Sequence, residues 1–240
     1  MGEWTVPGYA HVRELGRNGG GRTVLATHSA TGVPVAIRYL ADNLCRDEAR
    51  LSGCRDSARL MVDVTSGSIA GLYEYVESRD GVAMVREYVD GASLRAVLPA
   101  SGLGMTAAFR VLTSGLLGLV AAHTRGLRHG AYKPENVLVD PTGDVKLADF
   151  AMVGAGSTPA GDVSAAFATF VECVAGSRGQ PARLPRGLHR LAERAAAGDA
   201  SALLAELDGT ARATAGTDWE AKGRKDLAQR VTRSRRRQGR

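Results

Sequence analysis

Three stretches of this chain carry residue types and spacings able to do chemistry. The first is Gly16-Arg17-Asn18-Gly19-Gly20-Gly21, a glycine-rich run. Glycines let backbone N–H groups come close to phosphate oxygens, and Asn tolerates the left-handed turns such a run needs. The second is His129-Gly130-Ala131-Tyr132-Lys133-Pro134-Glu135-Asn136, and the third, a short hairpin later, is Asp149-Phe150-Ala151. Between the first and second stand Glu48, in the charged run Arg46 to Arg50, and Arg38, Arg86 and Glu87, charges within strand-like apolar stretches. A charge in such a setting is costly unless it is paired.

Other chemistries are excluded. There are three cysteines, Cys45, Cys54 and Cys173, an odd number without C-x-x-C spacing. That argues against a disulfide framework or a zinc site and fits a reducing compartment. His11, His28 and His189 have no metal-ligand spacing. The N-terminal residues lack a basic and then apolar leader pattern, and no run of about 18 uninterrupted apolar residues occurs. These features predict a cytoplasmic protein. The net charge of +6 is uneven: residues 221–240 hold nine Lys or Arg against one Asp, about +8, so the preceding 220 sum to about −2. The basic character therefore belongs to the tail.

The elements that must position these residues follow from periodicity. Residues 11–15, 22–28 and 33–40 read as strands of a meander, with the glycine-rich run as a flexible hairpin between the first two. Residues 43–60 carry a helical pattern, and 69–77 and 82–88 are two more strands joined by a Ser-Arg-Asp-Gly turn. From Ser93 the pattern turns helical. The predicted helices cover 93–98, 106–125 (with Thr106 as N-cap), 162–175, 188–197 and 200–207, and a hairpin of 137–139 and 145–147 is interposed. Beyond Gly209 the composition is polar and predicts disorder. Strands first and helices second predict an α+β protein with two lobes.

These motifs, in this order, resemble a bacterial eukaryotic-like serine/threonine protein kinase domain. Val35-Ala36-Ile37-Arg38 stands where the family has Val-Ala-Ile-Lys, and His129 to Asn136 where it has His-Arg-Asp-Leu-Lys-Pro-Glu-Asn. Asp149-Phe150-Ala151 stands for Asp-Phe-Gly, and Glu87 to Leu94 is similar to the hinge. The resemblance implies a β-rich N-lobe over 9–90, a helical C-lobe over 91–208 with a shortened activation segment, and a basic tail over 209–240. The Lys-Pro-Glu-Asn continuation favours protein kinases over the aminoglycoside-type phosphotransferases.

The family's pattern is broken at its working points. Ala131 replaces the Asp that takes the acceptor hydroxyl's proton, a loss that typically costs about 10²–10⁴ in rate. Arg38 replaces the phosphate-holding Lys and is not equivalent to it. Asn18 replaces the middle glycine, Thr23 the valine that roofs the adenine, Gly130 the Arg that grips a phosphorylated loop, and Ala151 the Gly that lets the next segment switch. The resemblance marks Gly16, Asn18, Gly21, Ala36, Arg38, Glu48, Glu87, Val89 and Lys133 as a vestigial nucleotide site, and Asn136 and Asp149 as Mg²⁺ ligands. Glu48 is the expected partner of Arg38. Arg86 falls at the back of the adenine pocket: facing inward, paired with Glu48 or Asp149, it plugs the pocket; with the register shifted by one, Val85 takes that place and the pocket is open. His129 and Phe150 are expected to stack between the lobes.

The function implied is a catalytically inactive, regulatory or scaffold kinase-like module in signalling, with a protein partner (a kinase, a phosphoprotein-binding or an envelope protein). It needs no cofactor and at most binds ATP and Mg²⁺ weakly. The alternatives are a weakly active ATP-dependent serine/threonine kinase, and association of the basic tail with an anionic membrane surface, which would make the protein peripheral to the membrane, or with nucleic acid by charge alone. No aromatic interleaving points to specific nucleic-acid binding.

Overall fold

Alternation along one central strand organises the first half of the molecule. The computed structural model describes residues 4–150, 157–176 and 188–238. The expectations for Ala151, for residues 152–156 and for the first three residues lie outside those described. In β3 (Pro34–Leu40), Val35, Ile37 and Tyr39 point into one small core, while Ala36 and Arg38 point the other way, into a cleft. Successive side chains of a strand face opposite sides, so one strand serves both purposes. Around it lie β1 (Tyr9–Asn18), β2 (Gly21–His28), β4 (Leu72–Ser78) and β5 (Gly81–Glu87), an antiparallel sheet in the order β1-β2-β3-β5-β4. In β5 the same rule turns Val85 and Ala83 to the small core and leaves Arg86 on the cleft side.

The glycine-rich run forms a tight hairpin between the first two strands. Strand β1 continues through Asn18, and only Gly19 and Gly20 form the turn. Gly21 resumes pairing at φ +122°, where a Cβ would lie 1.9 Å from the Tyr39 carbonyl oxygen. Only glycine fits that approach. The predicted helix over 43–60 divides into α1 (Asp42–Cys45) and α2 (Glu48–Val62), with Asp47 capping the second by accepting from the Arg50 amide.

The second half is helical. Ser93 caps α3 (Leu94–Val97) after a two-residue strand β6 (Ala92–Ser93). Helix α4 (Met105–His123) is long and apolar enough to cross a membrane, but it is the buried centre of this lobe. Its N-cap is Gly104, two residues earlier than the predicted Thr106. A hairpin of β7 (Val137–Val139) and β8 (Val145–Leu147) completes a small sheet with β6. Helix α5 (Pro159–Ala175), capped by Thr158, crosses α4 with Phe109 and Phe170 stacked at 5.4 Å between centroids. Helix α6 (His189–Ala197) follows. The lobes are stitched by backbone: the Ala70 amide donates to the Leu147 carbonyl (2.8 Å), and the Leu147 amide to the Ser68 carbonyl (2.8 Å).

The largest departure from expectation is the tail. Residues 209–238 are folded where the sequence predicts disorder: α7 (Ala200–Ala215) runs across the predicted boundary, and α8 (Trp219–Gln238) follows. Trp219, Leu227 and Val231 recur at helical spacing and are buried, with Trp219 edge-on to Phe109 at 6.1 Å. Gly223 falls in the same register, where a Cβ would meet the Thr106 carbonyl oxygen at 2.4 Å, so α8 lies directly on the first turn of α4. Arg110, almost wholly buried, donates to Glu220 (2.7 Å) and to Asp144 (2.8 Å).

Candidate functional site

The site is a cleft of about 330 Å³ between the sheet and the helical lobe. Leu15, Ala36, Val89 and Leu138 give it apolar walls, and Arg38, Arg86, Asn136 and Asp149 converge on its inner end.

The loop that forms its floor is held by Asp162 in the first turn of α5. This carboxylate accepts from the His129 amide (2.8 Å) and the Gly130 amide (2.7 Å), and it contacts the His123 ring at Nε2 (3.0 Å). Burial pushes the Asp162 carboxyl up. The bonds from His123, Gly130 and His129 outweigh that and hold it below the usual range. Asn136 adds a second anchor, its Nδ2 donating to the Ala131 carbonyl (2.8 Å) and its Oδ1 remaining as the acceptor. His129 packs on Phe150 at 4.4 Å between centroids, the stack the sequence predicts. Burial pulls its imidazole down to about 4. The loop is therefore fully braced, and a methyl group, that of Ala131, stands at its key position.

Asp149 sits at φ +61°, a left-handed conformation uncommon for a residue other than glycine. Its Oδ1 lies 3.3 Å from the Nε of Arg86, with both groups largely shielded from water. Arg86 faces inward, yet it lies along the inner wall and leaves the cleft open, so neither of the two expectations for it holds in full.

Arg38 does not pair with Glu48. That carboxylate is 76% exposed and bonds Arg55 at 2.9 Å instead, while Arg38 is 6% exposed. The first turn of α2 carries Glu48 outward, where Arg55, which also grips Glu77 at 2.8 Å, is nearer. Arg38 donates to two neutral oxygens, Thr23 Oγ1 (3.2 Å) and Asn18 Oδ1 (2.7 Å). Burial draws its guanidinium below the usual range; Asp149 acts against that and Arg86 with it.

Of the residues marked by the sequence, Gly16, Asn18, Ala36, Arg38, Val89, Asn136 and Asp149 line the cleft. Gly21 lies at the base of the hairpin, Lys133 is exposed, and Glu87 is held by the Lys146 ammonium at 2.6 Å. Sequence reasoning missed Arg13, Arg17, Ala96 and Glu135, which also line it, and the anchoring role of Asp162. A carboxylate opening an apolar helix was the available signal for the last.

A divalent cation is a poor fit here. Mg²⁺ asks for several hard oxygens in near-octahedral array. The carboxylate that would supply its charge already faces the Arg86 guanidinium, and Arg38 lies beside them. The other carboxylate of the cleft, Glu135, is bound to Arg95 at 2.7 Å. Among the described residues no group of three His, Cys, Asp or Glu stands ready to hold a metal.

This geometry, a five-stranded antiparallel sheet over a helical lobe with a braced loop at the cleft between them, has close counterparts. The family model for the protein kinase domain matches residues 9–170. The chain belongs to the protein kinase family. Its relatives include the serine/threonine-protein kinase PknL of Mycobacterium tuberculosis, 36% identical over 123 residues, which cover 51% of this chain and 31% of that protein. Others are the probable serine/threonine-protein kinase PknB of Lactococcus lactis (29% identical, 61% and 24% covered) and PknA of Mycobacterium tuberculosis (32%, 63% and 37%). The matches thus span between a quarter and two fifths of those relatives. In fold, the Mycobacterium tuberculosis PknI kinase domain aligns with a TM-score of 0.72 at 21% identity, covering 87% of this chain and 98% of that one. A double mutant of the same domain reaches 0.76. The two-lobed kinase fold that the motifs imply is therefore the fold of this chain.

Proposed function

We propose that this kinase domain is catalytically inactive and works as a regulatory or scaffold module in signalling. The observation that carries the proposal is the methyl group of Ala131 in a loop whose every support is intact. Asp162 holds the His129 and Gly130 amides and Asn136 holds the Ala131 carbonyl, so the acceptor hydroxyl would meet a positioned alanine. No neighbouring acid compensates. Glu135 is drawn away by Arg95, which Glu172 also binds, and Asp149 faces Arg86. Phosphoryl transfer depends on a base that orients the nucleophile and on a carboxylate free to hold the metal; the first is missing here and the second is taken up by Arg86.

In this reading the molecule acts through a protein partner and in the cytoplasm, which the free and buried thiols of Cys54 and Cys173 support. The membrane alternative loses ground. Lys222, Arg224, Arg230 and Arg235 of α8 are paired with Asp218, Asp144, Asp226 and Asp90, leaving less of the tail's charge for an anionic surface.

The test is transfer of labelled γ-phosphate from ATP with Mg²⁺, to the chain itself and to a generic basic protein substrate. Incorporation no higher than that of the Asp149→Ala variant is expected. Incorporation that depends on Asp149 would replace this reading with that of a weakly active kinase.

A further inference from the structure

The inner cleft is short of negative charge. Two buried guanidinium groups, Arg38 at 6% and Arg86 at 9% exposure, share the single carboxylate of Asp149. The Nε of Arg38 is shielded from solvent without a hydrogen-bond acceptor, and that of Arg86 meets only the Asp149 carboxylate, as an ion pair at 3.3 Å and not as a formed hydrogen bond. An uncompensated buried cation is costly, and guanidinium groups recognise planar or tetrahedral oxyanions in particular.

The oxygen that now serves Arg38 also shows where such an oxyanion fits. Asn18 Oδ1 accepts at once from Arg38 Nη2 (2.7 Å) and from the Gly20 amide (2.9 Å). That pair, one guanidinium and one glycine N–H of a tight hairpin, is a donor set for a phosphate oxygen. The Asn18 side chain occupies it as a neutral stand-in, and a turn about its own side-chain bonds vacates it. The remaining space and the apolar walls of Ala36, Val89 and Leu138 continue outward from that point.

We propose that this cleft binds a phosphate-bearing anion, a nucleoside triphosphate or a bare oligophosphate, without a divalent metal ion, and that Mg²⁺ weakens this binding. Arg38 and Arg86 supply the positive charge that a metal supplies elsewhere. A Mg²⁺ ion chelated by the phosphates cancels the charge these guanidinium groups recognise and is itself repelled by them. The proposal rests on the cleft being non-catalytic, but the two are decided by different measurements, binding here and phosphate transfer above.

The experiment is calorimetric titration of the full chain with ATP and, separately, with inorganic tripolyphosphate, each with EDTA and with Mg²⁺ in excess. Binding in EDTA that weakens when Mg²⁺ is added is the expected result. ATP binding more tightly than tripolyphosphate assigns the site to a nucleotide; equal binding assigns it to the phosphates alone. Asn18→Gly, on an exposed hairpin, removes the internal competitor and should tighten binding several-fold. Arg38→Gln should weaken it about 10- to 100-fold, the range of one charge-assisted hydrogen bond. Arg86→Met releases Asp149 and should abolish the antagonism by Mg²⁺. Binding that requires Mg²⁺ in the unaltered chain, or no binding in EDTA by either the unaltered chain or Asn18→Gly, overturns the proposal, even if phosphate transfer is also absent.

Discussion

Arg86 holds Asp149 through Nε and Oδ1 at 3.3 Å, a guanidinium resting on the carboxylate where kinases place a metal. The contact is mostly buried on both sides and comes from two lobes, β5 above and the segment after β8 below. It ties the missing base at Ala131 to a second lesion. Restoring one residue leaves the other in place.

Ala131→Asp alone is therefore expected to give no measurable phosphate transfer, because Asp149 stays neutralised. Transfer should first appear in Ala131→Asp combined with Arg86→Met. Labelled-phosphate incorporation by the two variants distinguishes the two lesions, and full activity of the single variant would show that the ion pair is of no consequence.

Asp162 carries the loop, so Asp162→Ala strands the His129 and Gly130 amides in a dry interior. A loss of about 2–5 kcal/mol is expected from two unsatisfied donors. Asp162→Asn keeps an acceptor and should lose clearly less. Urea unfolding of both variants checks the order.

His129 gives the fold a pH dependence. Its imidazole drops from an ordinary 6.5 to about 4 on burial, so between those values the unfolded chain binds the proton and the folded one does not. Stability is then full above about pH 6.5 and is lost as the pH falls toward about 4, by at most about 3 kcal/mol. Urea midpoints for the parent and for His129→Phe across that range should show the slope flattening in the variant.

Trp219→Ala should destabilise the whole domain by about 3–5 kcal/mol, as expected for an emptied aromatic site. Removing residues 216–240 should do at least as much, since Arg110 then loses Glu220 inside the lobe. A disordered tail predicts no change in thermal unfolding for either.

Much of this was legible in the chain because the signals are local. The loop from His129 to Asn136 and the Asp149-Phe150 pair are contiguous words, and the resemblance put Arg38 in the cleft while leaving two registers open for Arg86. Partners were harder, because they depend on how elements rotate against each other. Glu48 sits in a motif that suggests Arg38, but α2 turns it toward Arg55. The tail misled for a different reason. Its run of Arg and Lys dominates the composition, whereas burial is decided by Trp219, Gly223, Leu227 and Val231, one residue in four, with the charges disposed around them. Thr106 has a capping side chain, yet the chain enters α4 at Gly104, where the backbone is extended and no side-chain bond is made.

The two hydrogen bonds between Ala70, Ser68 and Leu147 set how the halves of the molecule can move. Ala70 and Leu147 are buried, and the bonds lie beside the glycine of α4, Gly118, where a Cβ would already press on Leu147 and on the Ser68 carbonyl. A mouth pinned at its back corner opens by tilting about that corner. The glycine hairpin then moves with the sheet and carries Asn18 relative to Asp149 across the cleft.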